Sequence, residues 1–218
     1  MSITQAPLSS GTVVVIGLVS LGVVAIDVGW QVVRHLTVMA HEGAHALTGM
    51  LLLGAFHGIE LHADGTGGTD ISPATGLRAI PITLAGYLGP SAFGLGAAKL
   101  IELRYTTVVL WAVLFLLAVL LFGLRRSFGL ISVILAGGIV FGIARYTPMH
   151  VQVVASHAIA WLLLLSGVRR ILEVGVGSDD GGRLRGLTGL PQALWFLLWL
   201  TATLAAAAFG AYLLIMRA

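Results

Sequence analysis

Two histidines and a glutamate stand within five residues of one another in a hydrophobic part of this chain, where residues 41–45 read His-Glu-Gly-Ala-His. On an α-helix, His41 and His45 lie on one face about one turn apart, so their imidazoles can bind one zinc ion. Glu42 projects toward the same half of the helix, where a carboxylate can take a proton from metal-bound water. The spacing therefore predicts a helical metal centre suited to hydrolysis.

A third metal ligand has to come from elsewhere in the chain, because catalytic zinc usually has three protein ligands and a water. The chain contains no cysteine, so nitrogen and oxygen are the available donors. The candidates far from the histidines in sequence are Asp27, Asp64, Asp70, His150, His157, Glu173, Asp179 and Asp180. The residues alone do not choose between them. Asp27 has a second interpretation as the ion-pair partner of Arg34.

The composition predicts an integral membrane protein. Hydrophobic residues make up 58% of the chain and charged residues 10%, against about 25% charged residues in soluble domains. Stretches near the length needed to cross a bilayer are 11–33, 36–56, 78–98, 105–124, 128–145, 150–168 and 192–215. We expect one all-α domain over residues 1–218, a bundle of six or seven transmembrane helices in a lipid bilayer. The net charge is only +3, with the basic residues scattered, so nucleic acid is not an expected partner.

Two polar segments interrupt the hydrophobic runs. In residues 57–76, alternating apolar and polar residues precede the turn-forming pair Asp64-Gly65, which predicts a small β-hairpin at the membrane face. A flexible glycine-rich loop is the alternative. In residues 173–191, two aspartates are followed by two glycines, which let a backbone or a ligand approach a carboxylate closely. A third feature, Gly86 and Gly94 in one hydrophobic run, predicts a close helix–helix approach.

Taken together, these motifs resemble those of the site-2 protease family, the intramembrane zinc metalloproteases, and in particular its compact bacterial branch. The resemblance rests on His-Glu-Gly-Ala-His, the glycine-rich β-loop, the Gly86-Tyr87-Leu88-Gly89-Pro90 sequence and the late Asp180-Gly181-Gly182-Arg183-Leu184. It covers roughly residues 35–95 and 169–200.

The resemblance implies a role for each matching residue. His41, His45 and Asp180 would hold Zn²⁺, and Glu42 would activate water to cleave a membrane-protein substrate, within or near the bilayer of a bacterial plasma membrane. Two departures stand out. Asp179 occupies the position before the aspartate where the family has leucine, and no asparagine follows Gly89-Pro90, where other members place one. A different donor would then stabilise the transition state.

Orientation and function each leave a choice open. With seven helices and a cytoplasmic amino terminus, seven arginines face the cytoplasm and five basic residues face outward, which favours a cytoplasmic amino terminus and active-site face. One alternative function is a catalytically silent membrane scaffold or binding protein, which an intact Glu42 disfavours. The other is a metal or proton transporter, which the absence of paired inverted repeats disfavours.

Overall fold

The structure is a computed structural model in which residues 8–72 and 76–217 are described. The extreme amino terminus, whose cytoplasmic placement the arginine count predicts, lies outside the described residues. Positions 73–75, near the end of the polar segment 57–76, lie outside them too.

The first two helices form one sharply bent pair. Helix α1 is Ser10–Ala25 and helix α2 is Asp27–Leu51. Their axes differ by 96° across the break. Gly29 makes the bend possible, because a Cβ at this position would lie 2.3 Å from the carbonyl oxygen of Val23. The break therefore falls at Ile26, earlier than the boundary between the expected spans 11–33 and 36–56.

The β-hairpin predicted from the alternation and from Asp64-Gly65 is confirmed. Strand β1 is Ala55–Leu61 and strand β2 is Gly67–Ser72, and the two pair antiparallel with an irregularity between Phe56 and Gly58. Gly65 has a φ of 74°, a backbone conformation that favours glycine. The hairpin runs back along α2, with Ile71 close to Gly49. It therefore lies beside the helix that carries the two histidines.

Six further α-helices follow in the part of the chain that the structure describes. They are α3 (Ala79–Glu102), α4 (Thr106–Gly123), α5 (Ser127–Tyr146), α6 (Met149–Val174), α7 (Asp179–Thr188) and α8 (Gln192–Tyr212). By length and composition, four described helices can cross a membrane, or five if the bent α1–α2 pair is one span. This is roughly consistent with the six or seven expected, and the all-helical membrane architecture is confirmed.

Helices α3 and α6 form the centre of the bundle and run antiparallel. Close contacts occur between Gly94 and Leu164 and, about one turn away on each helix, between Ser91 and Gly167. A Cβ on Gly94 would lie 2.9 Å from the Leu164 backbone nitrogen. The close helix approach predicted from the glycines is therefore confirmed at Gly94, whereas Gly86 makes its close approach to α2 instead. The α3–α6 contact places the amino-terminal half of α3 beside the end of α6.

Candidate metal centre

Helix α2 brings its two histidine side chains together against the amino-terminal half of α3. The Nε2 atoms of His41 and His45 are 3.1 Å apart, and the rings meet edge to face. The His45 ring is fixed by a hydrogen bond on its other side, because its Nδ1 lies 2.7 Å from the carbonyl oxygen of Ile82 and donates to it. A hydrogen bond of this kind sets the tautomer so that Nε2 is free to bind a metal.

His41 is held by packing instead. Its ring contacts the Tyr87 ring edge to face, with centroids 4.6 Å apart, and Tyr87 in turn packs against Trp199 of α8. The Nδ1 of His41 is buried and has no hydrogen-bond partner among the described residues. Its orientation therefore depends on the aromatic wall that α3 and α8 provide.

Asp180 enters the site from the first turn of α7. This helix begins at a polar cap, where the Ser178 hydroxyl accepts a hydrogen bond from the backbone N–H of Gly181 at 3.2 Å. One turn after the aspartate, Leu184 is fully buried against a cluster of large side chains: Tyr87, Ile171, Trp195 and Trp199. The cap and this apolar anchor together fix the direction of the carboxylate.

The Asp180 carboxylate completes a triangle with the two imidazoles. Its Oδ2 lies 3.2 Å from Nε2 of His41 and 3.3 Å from Nε2 of His45. Ligands about 2.0–2.1 Å from a tetrahedral zinc ion are separated by about 3.3 Å. The three donor atoms therefore have the spacing and the chemistry that a zinc ion requires, so the residues present fit the metal that the sequence resemblance implies.

The electrostatics of the site favour an ionised carboxylate at Asp180. Burial by itself raises the pKa of this group, but hydrogen bonding and the electrostatic interaction with His41 and His45 lower it by more. The net result is a pKa well below the ordinary value for aspartate. Asp180 is therefore negatively charged at neutral pH, as a carboxylate ligand has to be.

Glu42 lies on the hairpin side of α2 and is almost fully buried, with 4% of its surface exposed. Its Oε2 accepts a hydrogen bond from the Thr69 hydroxyl of β2 at 2.7 Å. Strand β2 can come this close because residue 67 is glycine; a Cβ there would lie 2.9 Å from Glu42 Oε1. The group of converging donor atoms consists of His41, His45 and Asp180, so the Glu42 carboxylate lies apart from this triangle and is held by the hairpin.

Comparison with known proteins decides the family. A family model described as Peptidase M50B-like matches residues 14–210, which is most of the chain. The chain belongs to this peptidase family, the site-2 proteases. No curated protein matches the chain, and no solved structure matches it.

The two aspartates of the hairpin, Asp64 and Asp70, have partners elsewhere. Asp64 accepts hydrogen bonds from Thr66 within the hairpin turn, and Asp70 pairs with Arg125. The hydrogen bond from the Thr66 hydroxyl is the main reason that the pKa of Asp64 lies below its ordinary value. Neither carboxylate takes part in the group formed by the two histidines and Asp180.

The expected pairing of Asp27 with Arg34 is wrong. Asp27 pairs with Arg169 of α6 at 2.9 Å, whereas Arg34 pairs with Glu173 at 3.2 Å. Asp27 and Arg34 are seven residues apart, about 10 Å along a helix axis, so an ion pair within α2 would have to span two turns. The bend at Ile26 instead brings the start of α2 to the end of α6, where both partners are close.

Three remaining candidates also lie away from the triangle. His157 is buried in α6 and its Nδ1 donates to the carbonyl oxygen of Val153 at 2.8 Å. His150 is exposed at the start of the same helix. Asp179 is exposed at the start of α7, although its neighbour in sequence faces the histidines.

Sequence reasoning missed two residues that shape this site. The role of Thr69 as the partner of Glu42 had no signal in the sequence. Gly86 did have one, because the glycine-rich stretch from residue 86 to 94 predicts close helix approach. Its particular task is to make room for the imidazoles: a Cβ at Gly86 would lie 2.3 Å from Nε2 of His45 and 2.7 Å from Cε1 of His41.

Replacing Gly86 with alanine is expected to remove bound zinc and cleavage, because both rings must move away from the donor positions that they share with Asp180. Gly96 on the same helix is a matched control, since a Cβ there meets nothing within 4 Å. Gly96→Ala should keep its metal and gain up to about 1 kcal/mol in stability from lower chain entropy in the unfolded state. Zinc content of the two purified variants is the measurement; equal zinc in both contradicts the clearance argument.

Proposed function

We propose that the protein is a zinc-dependent intramembrane endopeptidase, with His41, His45 and Asp180 as the metal ligands and Glu42 as the general base. Membership of a peptidase family and a set of apolar helices support a hydrolase in a membrane. The observation that carries the finer proposal is the triangle of donor atoms 3.1–3.3 Å apart. A bound zinc ion would lower the pKa of a water molecule and polarise the scissile carbonyl.

Glu42 would perform the proton transfers. Its carboxylate is buried and accepts a hydrogen bond from the Thr69 hydroxyl at Oε2. The other oxygen, Oε1, would accept the proton from the attacking water. The same group would then deliver that proton to the amine of the departing peptide fragment. A catalytically silent scaffold or a transporter needs no such group, so loss of cleavage on changing Glu42 separates the proposal from both alternatives.

The hairpin supplies a place for an unwound substrate. A helical substrate hides its peptide carbonyls in hydrogen bonds, so a segment must become extended before attack. The outer edge of β1 is closed, because the N–H of Arg125 donates to the Ile59 carbonyl at 3.0 Å and Leu124 bridges the same residue. No other described strand pairs with the outer edge of β2. A substrate strand added to β2 would lie next to Thr69 and therefore next to Glu42.

Orientation forms part of the proposal: the active-site face lies on the cytoplasmic side of a bacterial plasma membrane. The hairpin turn and the end of α6 meet at one place, since Arg34 pairs with Glu173 at 3.2 Å and its guanidinium lies against Gly65. This contact supports a shared face for the 57–76 and 173–191 segments.

Single cysteines introduced at Ala63 and at Gly177 should therefore be labelled from the same side, the cytoplasmic one. Both positions are exposed, and the chain has no cysteine of its own. A membrane-impermeant maleimide applied to intact cells and to inverted vesicles distinguishes the two sides. Labelling of the two positions from opposite sides would rule out the shared face, and labelling of both from outside would reverse the orientation.

The cleavage assay itself uses co-expression with candidate single-span membrane proteins. Wild type should produce a fragment cut within or beside the membrane segment, and the Glu42→Gln protein should not.

A further inference from the structure

The side chain of Thr83 on α3 is a buried polar group that the arrangement above leaves unused. Thr83 is 1% exposed, and its hydroxyl has no hydrogen-bond partner among the described residues. Threonines inside helices ordinarily donate to the carbonyl four residues earlier. Thr37 and Thr188 do so in this protein, to Val33 and Leu184 at 2.8 and 2.7 Å. A buried hydroxyl without a partner costs about 1–3 kcal/mol, which a hydrogen bond to a bound substrate would recover.

The position of Thr83 on α3 directs it to the metal centre. At 100° per residue, its side chain leaves the helix about 60° from the direction of Gly86 and about 40° from that of Tyr87. Gly86 is the residue against which both imidazoles pack, and Tyr87 contacts the His41 ring. The carbonyl that orients His45 belongs to Ile82, the residue just before Thr83.

The neighbouring helices place the hydroxyl at the same level. Gly94 and Ser91 of α3 face α6, whereas Gly86 and Gly89 face α2. The direction of Thr83 therefore falls in the seam between α2 and α6. At this level α6 ends at Val174, and the chain continues into α7, whose Asp180 lies 3.2 Å from Nε2 of His41.

We propose that the Thr83 hydroxyl donates a hydrogen bond to the carbonyl oxygen of the scissile peptide bond as that oxygen gains negative charge in the transition state. This inference rests on the proposed peptidase function and adds to it the donor that stabilises the oxyanion. Such a donor has its largest effect in a buried site, where it is already in place and costs little reorganisation. No covalent bond forms to Thr83, and it gives up no proton.

The test compares Thr83→Val, which keeps the shape and removes the hydroxyl, with Thr83→Ser, which restores it. Ser91→Ala is the matched control, because Ser91 is also a buried hydroxyl without a partner on α3 but lies against Gly167, about 12 Å further along the helix. On a membrane protein that wild type cleaves, Thr83→Val should lower kcat by about 100-fold with KM unchanged. Thr83→Ser and Ser91→Ala should both stay within about threefold of wild type, on the same scale.

Zinc content and affinity for a hydrophobic phosphinic peptide, which mimics the tetrahedral transition state, are measured on the same proteins. Thr83→Val should keep its zinc and lose affinity for this peptide by a factor similar to its loss in kcat. Loss of zinc or of thermal stability in Thr83→Val would show a structural role and overturn the inference, as would unchanged kcat and unchanged peptide affinity. If wild type and Glu42→Gln cleave nothing, the peptidase function fails separately, and equal phosphinic-peptide affinity of wild type and Thr83→Val then overturns the Thr83 inference on its own.

Discussion

Replacing Glu42 with glutamine is expected to leave one zinc ion bound and to reduce cleavage by about 10²–10⁴-fold, the usual contribution of a positioned general base. Glutamine keeps the size of the side chain, and its carbonyl oxygen can still accept the hydrogen bond from Thr69. It cannot take a proton from water. The measurement is the cleavage rate of a co-reconstituted membrane substrate, together with zinc content.

Glu60→Gln is the matched control for that experiment. Glu60 lies on β1 and pairs with Arg126 at 2.8 Å, in a partly exposed position at the hairpin surface. Its loss should change cleavage little, because a partly exposed ion pair contributes about 0–1 kcal/mol. Full activity in Glu42→Gln would contradict the general-base assignment, whatever the control shows.

The second large effect is expected at Asp180. Asp180→Asn should lose zinc affinity by more than about 100-fold and abolish cleavage, because even groups that only orient a ligand are worth 10–100-fold. The structure gives the physical reason: Asp180 Oδ2 is 3.2–3.3 Å from both imidazoles, and its side chain is only 17% exposed.

Asp179→Asn supplies the comparison for Asp180. The two residues are adjacent on the first turn of α7, so their side chains diverge by about 100° and only one can face the histidines. Asp179 is exposed, so its replacement should cost only the interaction of a charge with the start of a helix, about 0.3–1 kcal/mol in stability. Zinc lost only in Asp179→Asn would mean that the register of α7 is wrong.

Spacing along one helix made the first half of the site predictable. His41, Glu42 and His45 are local, and a helix of regular geometry fixes their relation without any knowledge of the remainder of the chain. Asp180 was a different case, because it lies 135 residues after His45 and the residues alone left eight candidates. Resemblance to a family singled it out, and the structure places it beside both histidines.

Local turn chemistry also made the hairpin predictable. Asp64-Gly65 sits in the turn between β1 and β2, as expected of this pair, and Gly65 has the positive φ that the turn requires. The course of the hairpin along α2 was not predictable, because it depends on contacts with distant residues. Gly67 against Glu42 is one such contact, and Gly49 against Ile71 is another.

The bend between α1 and α2 shows where pattern reasoning was misled. Hydrophobicity is continuous from residue 11 to 33, so it gave no sign of a break at Ile26. The sharp turn depends on Gly29 lying against the Val23 carbonyl, and on Arg169 reaching the start of α2 to pair with Asp27. Both are tertiary contacts. They also explain why Asp27 does not pair with Arg34.

Zinc-edge X-ray absorption on the purified wild-type protein is the most direct test of the metal centre. We expect about one zinc per chain, bound by two imidazole nitrogens and by oxygen at about 2.0–2.1 Å, with no sulfur. A protein that binds no zinc when supplied with it, or a zinc ion whose coordination shell contains no imidazole, would contradict the assignment of His41, His45 and Asp180.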